Sequence, residues 1–188
     1  MDRSEETLRT AMLLGNAAVE RLSHARVAVF GVGGVGGYAA EALARAGVGA
    51  IDLFDPDAVS RSNVNRQIIA LHSTVGRPKV EVMRERILDI NPDCAVTAHE
   101  VFYLPENADL YPLGGYDCIL DAVDTVSAKI ELAVRADRAG VPLVAAMGAG
   151  NKLDASRFTV TDLAKTEGCP LARVMRRELK ARGIRHLR

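Results

Sequence analysis

The sequence predicts an α/β protein: a doubly wound, mostly parallel sheet with helices on both faces. Three observations carry that expectation. Short, β-branched apolar runs, residues 27–30 first among them, lack the alternation of a one-sided strand and read as strands covered on both faces. Stretches of 3.6-residue apolar periodicity separate these runs, at the lengths that parallel crossovers need. Such crossovers are right-handed almost without exception, which distributes the helices over both faces.

Each element follows in order. Residues 4–24 read as helical with a break at Gly15, Leu8, Met12 and Leu13 forming one apolar stripe and Ala18, Val19 and Leu22 another. The strand at 27–30 runs into Gly31-Val32-Gly33-Gly34-Val35-Gly36-Gly37, and an Ala-rich helix covers 38–46. Residues 51–54 form a second strand that ends on Asp55. A loop then reaches Thr74, and 78–90 is an amphipathic helix closed by Asn91-Pro92. Strands are expected at 95–98, 118–122 and 143–146, with a helix over 126–139 between the last two. A further strand is expected at 158–161, its antiparallel orientation left open. A helix over 171–181 turns Leu171, Val174, Met175 and Leu179 inward and its arginines outward. No internal repeat or low-complexity linker interrupts this, so 1–188 reads as one domain. Residues 25–150 make its nucleotide-binding core, and 151–188 a C-terminal strand and basic helix.

Composition narrows the class. The 188 residues are 48% apolar and 26% charged, ordinary values for a globular chain. No run of eighteen apolar residues predicts a membrane span, and the acidic start, residues 1–6, lacks the basic and apolar regions of a signal peptide. Cys94, Cys118 and Cys169 lie far apart with no CxxC pair, which argues against a disulfide framework or structural zinc and for a reduced, cytoplasmic setting. Cys118 reads as a core residue, Cys169 as a structural thiol ahead of a Pro-initiated helix. His24, His72, His99 and His186 show no metal-ligand spacing. A net charge of zero hides a basic tail: Arg173, Arg176, Arg177, Lys180, Arg182, Arg185 and Arg188 against Glu178 alone. That tail is a solvated helix face or a docking surface for a polyanion.

The glycine loop is the strongest local signal. In Gly31-x-Gly33-Gly34-x-Gly36 the first glycine permits the tight turn out of the strand, Gly33 and Gly34 let the backbone approach a phosphate, and Gly36 lets helix and strand pack closely. The helix that follows offers free N–H groups to an anion. Asp55, at the end of the second strand, is placed to accept hydrogen bonds from ribose hydroxyls. The arrangement is that of a Rossmann-like nucleotide site.

The flanking residues favour ATP over NAD. A triphosphate needs fixed cations and a metal, whereas a nicotinamide cofactor needs little beyond the loop. Asp55-Pro56-Asp57, then Asn63, Arg66 and Gln67, then Lys79 at the start of its helix supply polar and cationic groups on the rim where such folds bind ligands. Asp121 and Asp124 end the fourth strand on the same rim, and one of them suits Mg²⁺. Each has a plainer reading: Arg66 as an ion-pair partner, Lys79 as a solvated helix residue, Asp121 capping a turn, Asp124 capping the next helix.

Taken together, GxGGxG, Asp-x-Asp-x-Val-x-x-Ser-Asn-x-x-Arg-Gln, Val-Gly-x-Pro-Lys and Asp-x-x-Asp resemble the MoeB/ThiF-like, ubiquitin-activating-enzyme-like superfamily, whose members adenylate a carboxylate with MgATP. The resemblance implies that Asp55 binds ribose, that Asn63, Arg66 and Lys79 bind phosphates, and that Asp124 organises metal and reacting carboxylate. It also implies that Arg9 reaches the ATP site of a partner subunit, making a homodimer the working unit. Asp162-Leu163-Ala164-Lys165-Thr166 and Cys169-Pro170-Leu171-Ala172-Arg173 resemble the tRNA threonylcarbamoyladenosine dehydratase branch, and that similarity runs over essentially the whole chain. It implies adenylation of the threonine carboxylate of the modified adenosine, cyclising loss of water, and tRNA contacts through Arg173, Arg176, Arg177 and Lys180. The alternatives are adenylation of a ubiquitin-like sulfur carrier, with a sulfur-transfer protein as partner and Cys169 as thioester nucleophile, an NAD-dependent oxidoreductase, and a module that binds ATP without turnover. The absent CxxC pair argues against the protein-activating relatives. The chain stops at Arg188, earlier than members of this branch do, and reads as a fragment or a shortened form.

Overall fold

The computed structural model of the chain describes residues 3–184, 186 and 187, with the backbone alone for Arg3 and Ser4; Arg185 and Arg188 of the basic tail lie outside the described residues. Two units divide it, residues 1–102 and 103–188.

In the first unit, helices Arg3–Glu6 (α1), Leu8–Leu14 (α2) and Asn16–His24 (α3) precede strand Arg26–Phe30 (β1). Gly15, at φ +83°, makes the expected break between α2 and α3. Strands Ala50–Phe54 (β2) and Ala95–His99 (β3) complete a parallel set in which β2 is central: Val29 pairs with Leu53, and Leu53 with Ala98. Ala28, Val29, Phe30, Ile51 and Leu53 are fully buried, as uninterrupted apolar strands between two helical layers require. Asp52 is buried within β2, where its Oδ2 accepts a 2.6 Å hydrogen bond from Arg26 Nη2.

Helix Gly36–Arg45 (α4) leaves β1 through the glycine loop, and helix Lys79–Ile90 (α5) returns the chain to β3. The two helices are tied by Arg86 Nε, which donates to Glu41 Oε2 at 2.5 Å, while Arg45 donates to Glu41 Oε1. Before β2 the backbone of Gly49 passes so close to α3 that a Cβ there would meet the Ser23 carbonyl oxygen at 2.0 Å. The rings of Phe30, Phe54 and His99, at the ends of adjacent strands, form a stack with centroid spacings of 4.2 and 4.3 Å.

The second unit holds strand Cys118–Asp121 (β4), helix Val126–Ala139 (α6) and strand Leu143–Ala145 (β5), with β4 and β5 parallel. Gly140, left-handed at φ +67°, ends α6. Helix Pro170–Ala181 (α7) buries Ala172, Met175 and Leu179 with Ala133 of α6, Leu163 and Ile184. The expected α/β class with parallel strands is present in both units.

Four expectations are corrected. Residues 158–161 form no strand; Phe158 and Val160 are exposed, and no described residue offers the segment a ladder partner. The apolar stripe of α2 is not buried, Leu8, Met12 and Leu13 being 52%, 72% and 82% exposed. Arg176 does not point outward like its neighbours: its Nη1 donates to both the carbonyl and the hydroxyl of Thr166. Cys118, expected in the core, is half-buried at the start of β4. Among the described residues no helix is long and apolar enough to cross a membrane.

Candidate nucleotide site

The first unit builds the site around the turn out of β1. Gly31 takes φ +87°, a left-handed conformation that disfavours side chains, and its N–H donates to the Phe54 carbonyl at 2.7 Å. Asp55 follows Phe54 and holds the loop directly: Oδ2 accepts from the Val32 N–H at 2.7 Å, and Oδ1 from the Asp57 N–H at 2.9 Å. The strand-end acid and the glycine loop are one bonded unit.

The segment after Asp55 folds back over that loop. A Cβ on Gly34 would lie 3.6 Å from Arg66 Cγ, and one on Gly33 would lie 3.8 Å from Gln67 Nε2. Arg66 is exposed, and its Nη1 is steadied by the Ser62 carbonyl at 2.9 Å and by Asn65 Oδ1 at 3.0 Å. Gln67 is buried, and its Oε1 has no hydrogen-bond partner among the described residues. Asn63 is buried on a short 3-10 turn, Arg61–Asn63, where its Oδ1 accepts from the Ser60 N–H at 2.9 Å. Its side-chain NH₂ is what it can offer a phosphate.

Lys79 opens α5, and its side chain is 7% exposed. Its Nζ lies 2.6 Å from Asp57 Oδ2 and 3.5 Å from Asp55 Oδ1. A buried ammonium needs such a partner, and the solvated-helix reading of Lys79 is set aside. The backbone binds the same two segments: Lys79 N–H donates to the Asp57 carbonyl, Val59 N–H to Arg77, and Gly76 N–H to Val59. The structure therefore brings together Gly31, Gly33, Gly34, Gly36, Asp55, Asp57, Asn63, Arg66, Gln67 and Lys79. Arg9 stands exposed on α2.

In the second unit the two aspartates part company. Asp124 is exposed; the N-cap of α6 is Thr125, whose hydroxyl donates to Asp124 Oδ1 at 3.4 Å, so Asp124 is not the cap. Asp121, expected on the rim, is 1% exposed and paired with Lys129, whose Nζ lies 3.0 Å from Oδ1. Burial pushes the Asp121 carboxyl above the ordinary carboxylate range, against the pull of the Lys129 charge. Asp121 also accepts from the Val123 N–H at 3.2 Å, which makes the turn-capping reading correct in part. Lys129 is the residue that sequence reasoning missed. The signal was available, because it follows Ala128 and precedes Leu132 and Ala133 on a face otherwise apolar.

Among the described residues no three His, Cys, Asp or Glu side chains cluster as a metal cage. A magnesium ion shared between a single carboxylate and phosphate oxygens needs no cage, and the exposed Asp124 carboxylate suits that hard cation. Cys169 is the N-cap of α7, its Sγ accepting from the Ala172 N–H at 3.4 Å. Burial pushes its thiol up, but the amides around it and the charge of Lys152 outweigh that and leave it below the ordinary value.

Comparison with known proteins adds an independent line. A model of the ThiF family matches residues 7–184. The chain is 48% identical over 177 residues to the tRNA threonylcarbamoyladenosine dehydratase of Bacillus subtilis, covering 94% of this chain and 70% of that protein. It is 48% identical over 172 residues to the Escherichia coli protein of the same name, covering 92% of this chain and 64% of the relative, so the chain falls short of its relatives' full length. The crystal structure of E. coli tRNA N6-threonylcarbamoyladenosine dehydratase in complex with ATP superposes with a TM-score of 0.93 at 46% identity, over 96% of this chain and 75% of that one.

Proposed function

Because the chain belongs to the ThiF family, we propose that it is an ATP-dependent dehydratase of threonylcarbamoyladenosine in tRNA. The observation that carries this reading is the folding of Arg66 and Gln67 over Gly34 and Gly33, with Lys79 held beside the strand-end acid Asp55. That set offers backbone N–H groups, a guanidinium and an ammonium to a polyphosphate, and a carboxylate to a ribose.

A carboxylate does not react with nucleophiles because oxide is its leaving group. In the proposed reaction an oxygen of the threonine carboxylate attacks the α-phosphorus of ATP and pyrophosphate departs. The carbamoyl group of the same side chain then attacks the acyl carbon and loses its proton, and AMP leaves carrying the former carboxylate oxygen, so the nucleoside becomes lighter by the elements of one water without free water being released. Both partners of the second step belong to one substrate, so proximity supplies much of its acceleration. Arg66 and Lys79 stabilise charge that develops on the phosphates. Asp124 would hold a magnesium ion, which would supply Lewis-acid polarisation of the phosphates. The tRNA binds through the exposed Arg173, Arg177 and Lys180 of α7. A second copy of the chain covers the exposed apolar residues of α2 and receives Arg9.

The test is to incubate the protein with MgATP and tRNA carrying the modified adenosine, digest the tRNA, and weigh the nucleoside. An ATP-dependent loss of one water is expected. ATP binding with no mass change, together with pyrophosphate exchange driven by a protein ending in Gly-Gly, would replace this reading with activation of a sulfur carrier. The variant Asp124→Ala is expected to abolish AMP formation while retaining ATP binding; full activity in it would overturn the role given to Asp124.

A further inference from the structure

The buried pair Asp121–Lys129 sits under the loop that bears Asp124. Lys129 is 0% exposed, yet its Nζ meets three oxygens: Asp121 Oδ1 at 3.0 Å, the Val123 carbonyl at 3.1 Å and the Ala146 carbonyl at 2.8 Å. An ammonium has three protons, and the three oxygens take them all. Asp121 Oδ1 in turn accepts from the Val123 N–H at 3.2 Å. Both backbone polar atoms of Val123, the residue before Asp124, are thus held by one buried ion pair. On the far side of Asp124, the Thr125 carbonyl accepts from the Lys129 N–H at 3.1 Å as the first turn of α6 forms. Asp124 is exposed, but its neighbours on both sides are anchored to the same lysine.

The third contact reaches beyond the loop. Through the Ala146 carbonyl, Lys129 also fixes the chain as it leaves β5, and the Ala146 N–H donates to the Asp121 carbonyl at 2.8 Å. A fully desolvated lysine is a costly way to hold two strand ends, since apolar side chains of the same volume pack with less penalty. What they lack is the ability to fix backbone carbonyls at set positions.

We propose that Asp121 and Lys129 form a positioning pair that fixes the backbone of residues 122–125 and so aims the Asp124 carboxylate at the reacting carboxylate and its metal. The proposal rests on the adenylation reading above. It assigns Lys129 no contact with substrate: it acts through Asp124. A displacement of about 1 Å in a group that must meet a reacting atom is enough to lower the rate about 100-fold.

The test uses the double variant Asp121→Leu/Lys129→Met, which replaces the ion pair with apolar side chains and leaves no uncompensated buried charge. Its ATP affinity, set by residues of the first unit, is expected to stay within about twofold of the parent. Its kcat for AMP formation on modified tRNA is expected to fall about 100-fold, and its crystal structure to show residues 122–125 shifted or spread over several positions. A double variant that folds with both kcat and the Asp124 position unchanged would overturn the proposal, since the pair would then be structural filler. If the double variant does not fold, Lys129→Gln, which keeps a donor and a similar length, carries the same measurements with a smaller loss of kcat expected. The position of Asp124 decides the positioning claim even if the parent protein makes no AMP, an outcome that would remove the adenylation reading instead.

Discussion

At Gly49 the constraint is a matter of one methyl group. The Ser23 carbonyl oxygen occupies the space where a Cβ would stand, 2.0 Å from it, and backbone cannot yield as a flexible side chain does. Gly49→Ala is expected to destabilise the fold by about 2 kcal/mol, lowering the melting temperature by roughly 5 °C in scanning calorimetry; an unchanged melting curve would show that α3 moves freely. This glycine was not legible in the sequence, whereas Gly31 was. Gly31 sits in a motif whose local turn demands it, but Gly49 is required by a contact with a helix that ended 25 residues before it, and no local pattern records that. The same division runs through the site. Asp55 and Lys79 were readable from their places at a strand end and a helix start. The pairing of Lys79 with Asp57 was not, because the loop between them closes only in three dimensions. Lys129 shows the sharpest limit: a charged residue on a helix is expected in solvent, and only its apolar neighbours hinted otherwise.

Among elements, the contact of α4 with α5 is one that pH can address. The hydrogen bond from Arg86, opposed by burial and helped by Arg45, holds the Glu41 carboxyl below its ordinary value of 4.5. A carboxyl whose folded value is depressed stabilises the fold fully above the unfolded value and loses that contribution as pH falls through the folded one. Stability should therefore decline below pH 4.5, and Glu41→Gln should flatten that part of the curve while costing about 1 kcal/mol at neutral pH after solvent screening. Chemical denaturation at a series of pH values checks both; an equally steep acid limb in the variant would assign the decline to other groups. The strand at 158–161 was misread at this scale. Phe158-Thr159-Val160-Thr161 has the right alternation, but alternation states only that a segment suits a sheet edge, not that an edge is there for it. Helices α4 to α7 were legible because their periodicity coincides with faces that the fold buries, whereas α2 carries a similar stripe and leaves it exposed.

For the molecule as a whole, charge distribution carries the expectation about tRNA. The net charge is zero, but α7 places Arg173, Arg177 and Lys180 in solvent while Arg176 is occupied by Thr166. Replacing Arg173 and Lys180 by Glu should weaken tRNA binding and reduce the slope of log affinity against log salt by roughly 1.5. Filter binding at several salt concentrations measures it, and an unchanged slope would move the tRNA surface elsewhere. Family membership was legible because the motifs lie in short contiguous runs, each tied to one turn or one helix start. The loop from Asp55 to Lys79 has a consequence of another kind. Its side chains are cross-braced to each other and to the glycine turn, so the entropy of ordering them is lost when the chain folds. On the proposed reading, phosphates would meet cations already held in place, and Lys79 would exchange one anionic neighbour for another.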